Sequence, residues 1–166
     1  MEKEQITQAK REAIINSKYP RAATYDAAWQ LENEDGSPCL WLTEALARKM
    51  DLKPGMRVLD MGCGAAMSSI FLAREFGVQV FANDLWVSAS DNMKRIRDAG
   101  VEGLVVPIHA EAHDLPYADE FFDAAFCVNS YQFYGTADTY FNEYYGRLVK
   151  RWTDPAPRGA STYQYE

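Results

Sequence analysis

The segment Arg57-Val-Leu-Asp-Met-Gly-Cys-Gly64 constrains this chain more than any other. A short apolar run passes straight into glycines, and Met67 to Phe76 then has helical periodicity ended by Gly77. Strand, glycine turn and helix make up half of a βαβ crossover, and the pattern continues. Val78–Asp84 predicts a second strand and Ser88–Ala99 a second helix stopped by Gly100. Gly103–His109 predicts a third strand, Phe122–Val128 a fourth, and Asp138 to about Lys150 a further helix. Strands alternating with helices of about a dozen residues imply a mainly parallel sheet with helices on both faces. The expected class is α/β.

The chain before this region is expected to be helical. Ile6, Ala9, Ala13 and Ile14 recur at helical spacing between Lys3 and Ser17, and Tyr19-Pro20 ends that helix. Glu32–Pro38 is an acidic, turn-rich connection, and Cys39–Met50 returns to helical periodicity. The expected organisation is a helical cap or lid over residues 1–50, a core over 51–150 and an irregular tail over 151–166. That tail has two prolines, little periodicity and no strand signal.

Composition narrows the function classes. At 166 residues one core is expected, and 48% hydrophobic with 25% charged residues excludes a disordered chain. Seventeen basic against 24 acidic residues, a formal charge of -7, disfavours a nucleic-acid partner. No apolar run approaches a membrane span, and the charged N-terminus has no apolar stretch behind it. Cys39, Cys63 and Cys127 lack Cys-x-x-Cys spacing, so they read as buried thiols of a reducing cytoplasm, with no metal site.

The glycine turn carries the chemistry. Gly62 and Gly64 allow a tight turn that brings backbone N–H groups close to a ligand. Asp84, 24 residues after Asp60 at the end of the next strand, is placed to accept ribose hydroxyls. A nicotinamide cofactor would want a third glycine where Met67 stands, and Asp60 would repel its pyrophosphate. A cationic nucleoside, with an amino group or sulfonium for Asp60, fits better and points to S-adenosyl-L-methionine.

Here the sequence resembles the class I S-adenosylmethionine-dependent methyltransferases. Asp60-Met-Gly-Cys-Gly64 is similar to their first motif, D/E-x-G-x-G-x-G, with Ala66 in place of the last glycine. Phe81-Ala-Asn-Asp84-Leu85 resembles the ribose motif, and Glu111-Ala-His-Asp-Leu-Pro-Tyr117 the stretch after the third strand. Phe122–Cys127 resembles the fourth strand, whose end lies beside the methionine moiety. The four blocks fall in order between about residues 40 and 150.

The resemblance implies a Rossmann-like fold and cofactor contacts from Asp60, Gly62, Cys63, Gly64, Asp84, Leu85 and Cys127. It gives Glu111 the adenine amino group, turns the Ala112 N–H to the ring and brings Tyr25 of the cap to the carboxylate end. Asn129, Tyr131 and Gln132, just after the fourth strand, become the acceptor contacts. Each residue also has a plainer reading: Asp60 or Asp84 as a helix N-cap, Glu111 as a solvated loop acid. The cysteines read more readily as small buried groups, and His109 and His113 as hydrogen-bonded rather than basic. No catalytic residue is identifiable.

The resembling family has seven strands in the order 3-2-1-4-5-7-6, and this chain supplies about four. After Arg147-Leu-Val-Lys150 a Pro-Gly-Gly turn is expected, but Arg151-Trp-Thr stands there, whose codons read one base over allow Gly-Gly. The expectation is a shifted reading frame or a cut-short product, with the fourth strand an open apolar edge. The expected function is methyl transfer to a small-molecule acceptor. The alternative is a catalytically incomplete cofactor-binding or assembly module, pairing through that edge as a homodimer or with a partner strand.

Overall fold

The computed structural model describes residues 8–34, 37–134, 140, 146–149 and 161–162. Their strands are β1 (Arg57–Met61), β2 (Gln79–Asp84), β3 (Val105–His109), β4 (Ala124–Cys127) and the two-residue β5 (Ser161–Thr162). Their α-helices are α1 (Gln8–Ile14), α2 (Ala27–Asn33), α3 (Cys39–Ala47), α4 (Met67–Phe76), α5 (Ala89–Asp98) and the short α6 (Gly146–Leu148). The strands form one sheet in the order β3-β2-β1-β4-β5, and every pair is parallel.

β1 is central, so both its faces are covered and its residues 58–61 are all buried, as in a parallel sheet packed on two sides. The period of two divides the strands between two layers. Val58, Val80, Ala82 and Val105 pack with Ile70, Ala73 and Ile96 of α4 and α5. Leu59, Met61, Ala125 and Cys127 face Ala112, Leu115, Phe122, Tyr140 and Leu148 on the opposite side. The expected bounds of β1 to β4, α4 and α5 hold within about two residues. α4 ends at Gly77, whose left-handed φ of 64° lets its N–H reach the Ala73 carbonyl. α5 starts at Ser88, whose hydroxyl accepts the Asp91 N–H.

The structure corrects four expectations. α1 is shorter than residues 3–17 suggest, and of its apolar stripe Ile14 is buried while Ala13 is exposed. α2 runs into the segment expected as a connection, because Asp26 caps it through the Trp29 N–H. Cys39 is only half-buried. Within the tail expected as coil, Ser161 and Thr162 pair with Phe126 and Cys127, so β4 is not an open edge there. Of the helix expected over 138–150, Tyr140 and α6 are helical and the rest lies outside the described residues.

The N-terminal helices are tied to the core by buried polar bonds. Glu44 of α3, 1% exposed, accepts the Ala22 N–H at 2.8 Å and pairs with Arg48. Gln30 of α2, fully buried, donates to the carbonyls of Ala22 and Tyr25. Tyr25, Leu40, Met67 and Phe71 then seal α3 and the Ala22 turn against α4. Truncating Glu44 leaves a buried N–H without an acceptor, a loss of about 1–3 kcal/mol. Glu44→Ala is expected to lower the urea midpoint by that amount and Glu44→Gln, which keeps an acceptor oxygen, by much less. Equal midpoints for Glu44→Ala and the native chain would refute this role.

Candidate functional site

β1 delivers its last residues to the C-terminal edge of the sheet, between the ends of β2 and β4. The backbone turns there through Gly62 (φ 65°), Gly64 (φ 53°) and Ala66 (φ 60°). Alanine at the third position pays left-handed strain of about 1–2 kcal/mol that glycine would avoid. The N–H groups of Gly62 and Cys63 both donate to the Asn83 carbonyl, at 2.8 and 3.0 Å. On the other side the Met61 carbonyl accepts the hydroxyls of Ser130 and Tyr134 at 2.8 and 3.2 Å.

The two glycines of the motif serve different ends. A Cβ on Gly62 would lie 2.4 Å from the Ser130 side chain, so this glycine is demanded by the loop after β4. A Cβ on Gly64 would meet nothing within 4 Å, so here the backbone faces open space. Gly64 is nonetheless held firmly. Its N–H donates to Asp84 Oδ2 at 2.8 Å and its carbonyl accepts Asn92 Nδ2 at 2.9 Å.

The two acids differ as much. Asp84 Oδ1 accepts the N–H groups of Trp86 and Val87, both at 2.8 Å. With the Gly64 bond, three of a carboxylate's roughly four lone-pair sites are in use, leaving about one for a ligand hydroxyl. Asp84 does not cap α5, since Ser88 does. Asp60, 1% exposed, accepts the hydroxyls of Ser68 and Ser69 on Oδ2, each at 2.6 Å. Its Oδ1 is buried without a hydrogen-bond partner among the described residues. Burial lifts the Asp60 carboxyl to about 6, the Ser68 and Ser69 bonds oppose that rise, and the Asp84 charge adds to it. Its native affinity for a proton exceeds the unfolded one, so this group's contribution to stability falls as pH rises from about 4 to about 6. Ser68, Ser69 and Asn92 escape sequence reasoning. The available signal for the serines was their place in the first turn of the helix that follows the motif.

The other expected residues are distributed unevenly. Cys63 and Cys127 are buried, and burial pushes both thiols up, away from nucleophilic use. Cys127 Sγ lies 3.0 and 2.9 Å from the Ser130 and Tyr134 hydroxyls. Leu85 is exposed at the end of β2. Glu111 is turned to its own loop, accepting the His113 N–H and pairing with His113 Nδ1 at 2.9 Å. That hydrogen bond to His113 holds its carboxyl below the usual range. Ala112 is buried, and its carbonyl accepts the Tyr140 hydroxyl. His109 approaches the Val87 carbonyl at 3.4 Å. Asn129, left-handed at φ 57°, donates to Ser37 Oγ, while Gln132 is exposed and donates to the Asn129 carbonyl. Tyr131 packs its ring against Tyr134 and Tyr140.

Tyr25 is the residue the structure moves away. Its hydroxyl bonds Glu75 at 3.1 Å, eight residues along α4 from Met67, or about 12 Å of helix rise. It lines a cavity of about 590 Å³ with Trp29, Arg74, Glu75, Arg95 and Asp98, at the far ends of α4 and α5. The space at the glycine turn is only about 60 Å³, walled by Asn33, Glu34, Ser37, Cys39, Met67 and Asn129 among others. Among the described residues, no group of three or more His, Cys, Asp or Glu is placed to hold a metal ion, and no helix is long and apolar enough to cross a membrane.

A parallel sheet with a glycine turn and two acids at its C-terminal edge defines a nucleoside-binding α/β domain. A family model described as a methyltransferase domain matches residues 58–151, more than half of the chain, and the chain belongs to that family. It is 36% identical over 94 residues to Methyltransferase GfsG of Streptomyces halstedii, covering 54% of this chain and 32% of that protein. With a demethylmenaquinone methyltransferase of Bacillus mycoides (strain KBAB4) it shares 39% over 89 residues, covering 50% and 35%. The structure of an S-adenosylmethionine-dependent methyltransferase from Geobacter sulfurreducens in complex with S-adenosyl-L-homocysteine superposes with a TM-score of 0.56 at 25% identity. It covers 66% of this chain and 43% of that one. The counterpart from Thiobacillus denitrificans, also with S-adenosyl-L-homocysteine, gives 0.54 at 26% identity, covering 65% and 43%. The chain spans about a third of the length of these curated relatives.

The motif glycines are separable by experiment. Gly62→Ala meets both a collision and positive-φ strain and is expected to cost more than about 2 kcal/mol in unfolding experiments. Gly64→Ala bears the strain alone, about 1–2 kcal/mol, and puts a methyl into the open space instead. Equal destabilisation by the two would contradict these distinct roles.

Proposed function

We propose that this chain binds S-adenosyl-L-methionine across the ends of β2, β1 and β4 and serves methyl transfer to a small-molecule acceptor. The observation that carries the reading is the buried, unpartnered Oδ1 of Asp60 beneath a turn whose Gly64 faces open space. A buried carboxylate oxygen without a donor is costly, and a cationic group brought to it offsets that cost. The donor set therefore fits a positively charged nucleoside. The volume fits only once the wall formed by the ends of α2 and α3 moves aside, since small-molecule sites run to roughly 300–1,000 Å³.

When bound, the cofactor supplies an activated sulfonium methyl, and the chain's own residues bind, orient and exclude water. Asp84 offers its remaining lone pair to a ribose hydroxyl, and Leu85 an apolar surface beside it. Glu111, once released from its pairing with His113, and the Ala112 N–H take the base from the loop after β3, and Asp60 holds the amino group. Gly62, Cys63 and Gly64 keep the backbone close, and Cys127 closes the floor by β4. Asn129, Tyr131 and Gln132 border the acceptor. Proximity, alignment and desolvation carry the rate, and no proton-accepting group is assigned. The hydroxyl of Tyr25 has no part in this assignment.

Titration calorimetry with S-adenosyl-L-homocysteine beside NAD tests the reading: binding of the former alone supports it, and binding of neither or of NAD overturns it. The Asp60 carboxylate also predicts a pH profile. Below about 6 it is protonated and loses its pull on a cation, so affinity is expected to fall as pH is lowered through that value. Asp60→Asn is expected to weaken binding roughly 10- to 100-fold near neutral pH, the scale of one charged hydrogen bond, and to flatten the profile. An unchanged profile in that variant would remove Asp60 from the site.

A further inference from the structure

Among the exposed large apolar side chains of the described residues, Leu85, Trp86 and Phe133 stand at the C-terminal edge of the sheet. Trp86 is 74% and Phe133 61% exposed, and their rings meet edge to face at 5.0 Å. Trp86 sits in the loop leaving β2, and Phe133 ends the short 3₁₀ turn Tyr131–Phe133 after β4. Since β1 lies between β2 and β4, the pair spans the strand whose glycine turn forms the proposed cofactor site. The Trp86 backbone is anchored, its N–H donating to Asp84 Oδ1. Two large aromatic rings held in water beside a site form a surface that an apolar ring covers favourably.

Charge decides what kind of molecule covers it. The loops at this edge, residues 62–66, 85–88, 110–116 and 128–134, contain no lysine or arginine. They and the strand ends do carry Asp60, Asp84, Glu111 and Asp114. An acceptor bearing a carboxylate or phosphate would find no counter-charge in these loops and would approach like charges.

Resting on the methyltransferase reading, we infer that Trp86 and Phe133 select the acceptor, and that the acceptor is an uncharged molecule with a flat apolar ring face. A free amino acid or a phosphorylated metabolite is disfavoured by the same surface. Loss of either ring removes half of the platform while leaving Asp60, Gly64 and Asp84 in place.

The test uses the full chain saturated with S-adenosyl-L-homocysteine and titrated near neutral pH with three probes: 2-naphthol, 2-naphthoate and sarcosine. The expected result is binding of 2-naphthol, at least roughly tenfold weaker binding of 2-naphthoate, and none of sarcosine. Trp86→Ala and Phe133→Ala are each expected to weaken 2-naphthol by about fivefold or more, with Trp86→Phe retaining most of the affinity. Both alanine variants are expected to bind S-adenosyl-L-homocysteine as the native chain does, which also reports that they fold. Absence of 2-naphthol binding, tighter binding of 2-naphthoate or sarcosine, or indifference to both alanine variants overturns the inference. Failure of the native chain to bind S-adenosyl-L-homocysteine would instead overturn the methyltransferase reading itself, and the same titration records it separately.

Discussion

The main-chain groups at the C-terminal end of β1 hold the neighbouring loops in register. The Asn83 carbonyl takes two N–H groups of the glycine turn, and the Met61 carbonyl takes two hydroxyls of the loop after β4. Gly62 has no side chain because Ser130 occupies the place where one would stand. The loops after β2 and β4 are thereby referenced to one point on the central strand. Buried backbone polar groups are costly when left unpaired, so a change in one loop is felt by the other two.

Within that frame the electrostatics are lopsided. Asp84 is satisfied by three backbone N–H groups and so works as an organiser of the turn as well as a ligand candidate. Asp60 keeps one oxygen unpaired, and the four edge loops contain no lysine or arginine to meet it. That unpaired carboxylate oxygen disfavours the pyrophosphate of a dinucleotide and favours a cation. The Trp86–Phe133 pair adds an uncharged aromatic surface at the same edge of the sheet.

Much of the core was legible because its patterns are local. β1 and α4 have the bounds expected of them, since an apolar run ending in glycine and a helix ending in glycine are set by neighbouring residues. The limits of α2 within the expected helical cap were not legible, because Gln30, a polar residue, is its buried member, and its burial depends on the Ala22 and Tyr25 carbonyls that it pairs. β5 was hidden because two residues show no period; pairing with β4 makes them a strand. Tyr25 was misplaced because nothing in its surroundings in sequence reveals Glu75, which lies 50 residues away.

The sequence by itself determined the α/β class, the positions of the central strands, and the presence of a glycine turn flanked by acids. These follow from periodicity, backbone permissiveness and charge, properties of residues close in the chain. Only the tertiary structure decided which glycine is required by packing and which faces open space. It likewise decided which acid is satisfied and which keeps an unpaired oxygen, and that Trp86 and Phe133, from the loops after β2 and β4, meet each other. Those outcomes depend on partners brought together from distant parts of the chain, whose burial and hydrogen bonding exist only once the sheet has formed.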